Sequence, residues 1–441
     1  MSFAAPAIRR TFSSLSVSRN FRLYFFGQII SASGTWVNAT ATSWLVLRIT
    51  GSGVALGVNT ALLFLPMLVL GAWGGVLADR FDKRRILIGT QAAFAVTSLV
   101  LFALVGTGAI ELWMVYVLSF VDGLTVALDN PTRQSFYAEM VGSEHVSNAV
   151  SLNSAAFTGS RIIGPAIAGI LIATVGLATC FVVDGISYLA VLIALVAMRP
   201  RELRRVERSS RERGHLVAGL RYVWRTDELR RPLLVMAVIF TLAFNFAVLL
   251  PLLAEETFHT GAGAFGMLSA LAGVGSFAAA IWAAARNREP SMLRLAVFAV
   301  ALGVALIVVS TAPTFPLALA GMAMVGMTAM AFMITGNTML QVHAAPRARG
   351  RVMALYGVVF LGSTPIGSPI AGWVAEHLGP RWGLALGGVV ALALGFTLLM
   401  LRYVRDARDV RRDTEHASVA PVIVVRPMDV ADEVDQVPLS A

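Results

Sequence analysis

Charged residues fall along this chain in clusters, and the stretches between them are long and apolar. From Ile49 to Ala78 no side chain is charged, six of the next seven are, and from Ile86 to Ile110 there is again none. Either stretch can cross a bilayer, which takes about 20 residues. The same pattern predicts twelve membrane helices, at residues 23–47, 54–78, 86–106, 112–131, 146–174, 178–198, 232–254, 264–285, 295–311, 317–342, 352–375 and 382–401. These group into an N-terminal segment (1–22), a six-helix bundle (23–198), a basic linker (199–231), a second six-helix bundle (232–401) and a polar tail (402–441). The linker has the length of one or two surface helices. The tail reads as largely disordered, apart from a short strand-like stretch at Val419–Val425.

Composition agrees with an all-α membrane protein. The chain is 57% hydrophobic and 14% charged, with mean hydropathy +0.75, whereas soluble chains are about 25% charged. The net charge of +10 is not a nucleic-acid signal. Of the 35 Lys and Arg, only Arg48 and Arg381 fall in loops on one side of the predicted membrane, and Arg161 lies within a span. Basic loops stay on the cytoplasmic side, which puts both termini inside a bacterial inner or plasma membrane. The one cysteine, Cys180, precludes an intramolecular disulfide. The first span is too long for a signal-peptide core of about 7–15 residues.

The halves resemble each other. Gly159, Gly164 and Gly169 in the fifth span match Gly362, Gly367 and Gly372 in the eleventh at a constant offset of 203, with prolines at 165 and 369. Thr50-Gly51-Ser52-Gly53 before the second span parallels Thr260-Gly261-Ala262-Gly263 before the eighth. Two related bundles joined by a basic linker suggest a duplicated transporter with its site between the halves.

Several motifs sharpen this. Gly75-x-x-x-Asp79-Arg80-x-Asp82-Lys83-Arg84 resembles the signature loop of the major facilitator superfamily, with Asp82 where that family has glycine and Lys83 where it usually has arginine. Asp129-Asn-Pro-Thr-Arg-Gln-Ser-Phe136, Asn148-Ala-Val-Ser-Leu-Asn-Ser-Ala155 and Gly164-Pro165 are similar to the branch containing the enterobactin exporter and the macrolide and multidrug efflux pumps. The resemblance implies twelve helices in two pseudo-symmetric bundles. It implies that Asp79 latches the halves on the cytoplasmic side by docking on the eleventh helix, with Gly75, Arg80, Lys83 and Arg84 in the same loop. A loop cation would pair with an acid of the fourth helix, and Asp129 is placed to meet Lys83 or Arg84. Gly159, Gly164, Pro165 and Gly169 resemble the fifth-helix motif of proton-exchanging exporters; ordinary helix packing would also use them.

Asp122, Arg161 and Asp184 are the charges inside spans. Each costs about 2.5–3.5 kcal/mol at mid-bilayer on insertion scales. They are therefore expected either to form an ion pair or to couple protons, with Asp122 as the carrier if Arg161 holds the other acid. In the first span Gln28, Ser31, Thr35, Asn38 and Thr42 recur at helical spacing on one face. Thr241/Asn245 and Asn337/Gln341 are i, i+4 pairs. The resemblance implies a central cavity lined by the first, fourth, seventh and tenth helices, with Thr35, Trp36, Asn38, Phe244, Asn245, Met333 and Asn337 as lining; helix–helix hydrogen bonding is the competing role.

No cofactor or metal is expected. Gly261-Ala-Gly-Ala-Phe-Gly266 opens a membrane helix with no strand before it, the sole lysine has no P-loop around it, and the six histidines lack metal spacing. No enzyme constellation occurs. The expected function is secondary active export of a small amphipathic, drug-like molecule by alternating access in exchange for protons, by a monomer whose partners are that substrate, protons and the lipid bilayer. The alternatives are a dedicated siderophore exporter, or a non-transporting scaffold or sensor on the same fold.

Overall fold

A computed structural model describes residues 13–204, 215–286 and 289–419, without the side chains of residues 72, 79, 215–218 and 404–419. Among the described residues every regular element is helical, as a bilayer requires where each backbone polar group must be satisfied within its own segment. After a short helix, Ser13–Val17, come α1 (Arg19–Thr50), α2 (Gly53–Arg80), α3 (Lys83–Gly106), α4 (Leu112–Val141), α5 (Val146–Thr174) and α6 (Leu177–Ala197). A linker helix, His215–Arg225, leads to α7, which is broken into α7a (Asp227–Ala243) and α7b (Phe246–Leu252). Then follow α8 (Gly261–Arg286), α9 (Met292–Thr311), α10 (Phe315–His343), α11a (Arg349–Gly362), α11b (Thr364–Leu378) and α12 (Pro380–Val419).

Eleven of these crossings are long and apolar enough to span a membrane. The twelfth is α1, 32 residues long but diluted by its polar stripe. The described residues from Leu399 on belong to a unit of their own, helical to Val419 where a largely disordered polar tail was expected. Most of the strand-like stretch at Val419–Val425 lies outside the described residues, as do residues 1–12 and 205–214 of the N-terminal segment and linker.

Local chemistry sets the helix ends. Ser18, Ser52, Asp82 and Ser291 each accept a backbone N–H from the third residue on, closing an N-cap. Asp82 thus has its own use: with φ −64° it needs no glycine, and its carboxylate accepts from Arg85 N at 2.9 Å. Gly51 ends α1 in the left-handed region at φ 60°. Pro131 does not end α4. It lies inside a 30-residue helix, and the neighbouring Ser135 hydroxyl bonds back to the Pro131 carbonyl at 3.0 Å.

The repeat is visible in three dimensions. Gly164 of α5 lies against Trp36 and Ser33 of α1, and its match Gly367 of α11b lies against Thr241 of α7a. Gly169 of α5 abuts Gly263 of α8, and its match Gly372 abuts Gly53 of α2. Matched glycines therefore make matched crossings, α5 on α1 and α8, α11 on α7 and α2. Gly159 has open space where a side chain would be, so it takes no part in this packing.

Candidate functional site

The two bundles meet most closely toward the end of the helices opposite the basic loops. A Cβ on Gly53 would stand 2.6 Å from the Gly372 carbonyl, and one on Gly57 2.5 Å from that of Ser368. On the other side of the interface, a Cβ on Gly266 would stand 2.5 Å from the Pro165 carbonyl, and one on Gly169 3.2 Å from that of Gly263. Bare backbone meets bare backbone, which only small residues permit. The Trp44 ring of α1 stacks on Phe265 of α8 with centroids 6.3 Å apart. Glu376 at the end of α11b accepts hydrogen bonds from Ser52 Oγ at 2.5 Å and Val54 N at 2.9 Å, at the start of α2.

Toward the basic end, polar side chains on α4, α5 and α10 are open. Gln134, Ser151, Ser154, Thr338 and Gln341 are exposed. Their hydrogen bonds stay within their own helices, as in Ser154 Oγ to Val150 O and Gln341 Nε2 to Asn337 Oδ1. An exposed polar face inside a membrane helix suits a water-filled vestibule better than lipid. Backbone contacts thus close the bundles together at the neutral end, while polar side chains lie exposed at the basic end.

The signature loop lies at the open end. Arg80, Phe81 and Asp82 are exposed, and Gly75 is buried. The side chain of Asp79 lies outside the described residues, so its docking on α11 remains an expectation. Lys83 pairs with Glu139 at 2.5 Å. Arg84 donates to the last carbonyls of α6, Leu195 O at 2.6 Å and Val196 O at 3.1 Å, as a cation at a helix C-terminus should. The pairing expected between Asp129 and Lys83 or Arg84 is therefore not formed. Asp129 is buried, pairs with Arg133 one turn on, and accepts from Thr90 Oγ1 at 2.8 Å and Gln91 Nε2 at 2.9 Å. A fourth span ended at residue 131 leaves Arg133 in the following loop. The i, i+4 spacing of the pair is the available signal, and it counts only because α4 continues through Pro131.

The intramembrane charges also rearrange. Neighbouring hydroxyls of α3 hold the two acids: Thr97 Oγ1 donates to Asp122 Oδ1 at 2.6 Å, and Ser98 Oγ to Asp184 Oδ2 at 2.6 Å. Asn38 Nδ2 adds a second bond to Asp184 Oδ2 at 2.6 Å. Asp184 is fully buried and its Oδ1 has no partner. Arg161 pairs with neither acid. Its guanidinium lies over the Trp36 ring, 5.5 Å from the centroid, and no carboxylate pairs with it among the described residues. The expected Arg161–Asp ion pair is replaced by a cation–π contact.

The lining residues divide. Thr35 is exposed, and its hydroxyl also meets Tyr188 Oη at 3.2 Å. Trp36, Phe244, Met333 and Asn337 are half-buried, and Phe244 belongs to an aromatic cluster with Phe240 and Phe246. Asn38 turns inward to Asp184. Asn245 is buried and braces the break in α7: its Nδ2 donates to Thr241 O at 2.7 Å, and its Oδ1 accepts from Ser368 Oγ at 3.2 Å. These two therefore serve the scaffold around the pathway. Clusters of His, Cys, Asp and Glu able to hold a metal are absent among the described residues.

Known proteins share this architecture. A family profile described as "transmembrane secretion effector" matches residues 10–426. The chain is 26% identical to the multidrug efflux pump Tap of Mycolicibacterium fortuitum, over 87% of this chain and 96% of Tap. It is 25% identical to the staphyloferrin A transporter of Staphylococcus aureus, over 59% of this chain and 66% of that protein. It is 22% identical to macrolide efflux protein A of Streptococcus pyogenes, over 88% and 98%. Among solved structures, a bacterial homologue of the human lysosomal transporter Spinster superposes with a TM-score of 0.69 at 14% identity, covering 87% of this chain and 98% of that one.

Proposed function

The chain belongs to the transmembrane secretion effector family of major facilitator-type transporters, and from that premise we propose that it exports a small amphipathic organic molecule by alternating access. Membership makes it a multi-pass membrane transporter and not an enzyme. The observation that carries the rest is the asymmetry of the pathway, closed backbone to backbone at the neutral end and polar and open at the basic end. Basic loops favour the cytoplasm. On that orientation both termini are cytoplasmic and the structure is the loading state of an exporter.

Export then needs the other state. The α2–α11 and α5–α8 crossings separate at the neutral end, the basic end closes, and Asp79 docks on α11 as the latch. Protons drive the cycle through Asp122 and Asp184. Both acids are held by hydroxyl and amide donors, and neither forms an ion pair among the described residues, so a proton is the available means of neutralising their charge as water access changes. Cargo rests against Thr35, Trp36, Phe244, Met333 and Asn337, and the protein works as a monomer.

The test is accumulation of a panel of fluorescent drugs in a pump-deficient bacterial host, with and without a proton uncoupler. Expression should lower accumulation, and the uncoupler should abolish the difference. Unchanged accumulation across the panel would leave only a narrow exporter or a non-transporting role. Similarity to the staphyloferrin A transporter favours a siderophore exporter as the second reading.

A further inference from the structure

Arg161 is a cation inside a span whose contact is an aromatic ring rather than an acid. Its guanidinium carbon lies over the Trp36 ring, and its five N–H donors have no carboxylate partner among the described residues. The indole Nε1 of Trp36 is itself buried without a hydrogen-bond partner. Donors thus gather at one place, with no acceptor for them among the described residues. Asp122 is held by Thr97 and Asp184 by Ser98 and Asn38, and neither acid comes within ion-pair distance of Arg161.

The position is equally specific. On α5, Ser147, Ser151, Ser154, Thr158 and Arg161 follow at steps of four and three, so they share one face. The three serines are exposed and the last two residues half-buried. This polar track rises from the open basic end and stops at Arg161, one turn short of Pro165, where α8 closes the pathway. Phe157, 47% exposed, stands beside Trp36 with ring centroids 5.6 Å apart. A charged donor group therefore ends a polar path, with aromatic surface next to it.

We propose that Arg161 and Trp36 bind an anionic group of the cargo, so that the transported molecule joins a carboxylate or similar oxyanion to an apolar or aromatic body. The anion takes its hydrogen bonds from the guanidinium rim and the indole N–H, and the body lies along Phe157. This rests on the export reading and narrows its substrate class.

The experiment compares two probes of one shape, pyrenebutyrate and pyrenebutanol, for binding to the purified full-length protein by fluorescence anisotropy. The wild type should prefer the carboxylate by about tenfold, the span of one charge-assisted contact. Arg161→Gln should collapse that ratio to near one. Arg161→Lys, which keeps the charge, should restore part of it, and Trp36→Phe, which keeps the ring and loses the N–H, should lower it. Arg381→Gln, at a cation bound to the Ala312 carbonyl in the opposite loop, should leave it unchanged. No preference in the wild type, or a preference that survives Arg161→Gln in folded protein, overturns the assignment. Uncoupler-sensitive efflux of both probes from vesicles without any such preference would remove this site alone. An intact preference with no efflux would remove the export reading and keep the site.

Discussion

Ser52 gives its hydroxyl hydrogen to the Glu376 carboxylate at 2.5 Å, joining two helices from different bundles and 324 positions apart. The same Ser52 oxygen accepts from Ala55 N at 3.1 Å, so one hydroxyl caps its own helix and ties it to the other half. Glu376 also takes the Val54 N–H and so sits on the positive N-terminus of α2. It mirrors the expected role of Asp79 at the other end of the same helix pair.

Replacing Glu376 with Ala should weaken closure of the neutral end. The pair is exposed, so the loss is about 1 kcal/mol rather than the larger value of a buried charged bond. That shifts the population about fivefold toward the state open at this end. Spin labels at Thr107→Cys and Thr314→Cys, in a Cys180→Ser background, should show a longer-distance component in double electron–electron resonance. An unchanged distance distribution would mean that the glycine crossings alone hold the closure.

Gly266→Leu tests those crossings. Its Cβ would stand 2.5 Å from the Pro165 carbonyl, and a backbone atom cannot yield as a side chain can. Overpacking costs about 1–3 kcal/mol, here falling on one state of the cycle. The variant should reach the membrane in normal amount yet lose most transport, and the same labels should report an opened neutral end.

Asp129→Ala should destabilise the protein far more than the paired change Asp129→Ala with Arg133→Met. The single change leaves a half-buried guanidinium uncompensated, at part of the roughly 3–5 kcal/mol that breaking a fully buried pair costs. The pair removes both charges. Thermal unfolding in detergent measures this, and equal losses for the two variants would show that Arg133 finds another partner.

Asp122→Asn should abolish pH-driven counterflow in vesicles while leaving downhill exchange of cargo. Asp184→Asn retains one acceptor oxygen for Ser98 and Asn38 and should fold, with coupling reduced. If the Asp122→Asn protein still responds to a proton gradient, the carrier lies elsewhere.

The order of the helices was readable from the charge-free stretches because the bilayer imposes one coarse rule on every span. The partners of the polar residues were not. Gln28, Ser31, Thr35 and Asn38 do recur at helical spacing, but Gln28 and Ser31 are buried and Asn38 bonds Asp184, while Thr35 alone of the four is exposed. Spacing says which residues share a face; what lies opposite depends on how helices cross. Asn245 likewise reads as lining, yet the break in α7 consumes both ends of its amide. The contact between Ser52 and Glu376 had no local signal, since each residue is ordinary within its own turn.

The closure built from Gly53, Gly169, Gly266 and Gly372 touches backbone with backbone and involves none of the side chains around Trp36 and Phe244. In the proposed cycle, movement and recognition thus draw on separate sets of positions. Residues that face cargo are free to diversify while the hinge stays as it is, so one inherited engine can serve chemically unlike loads.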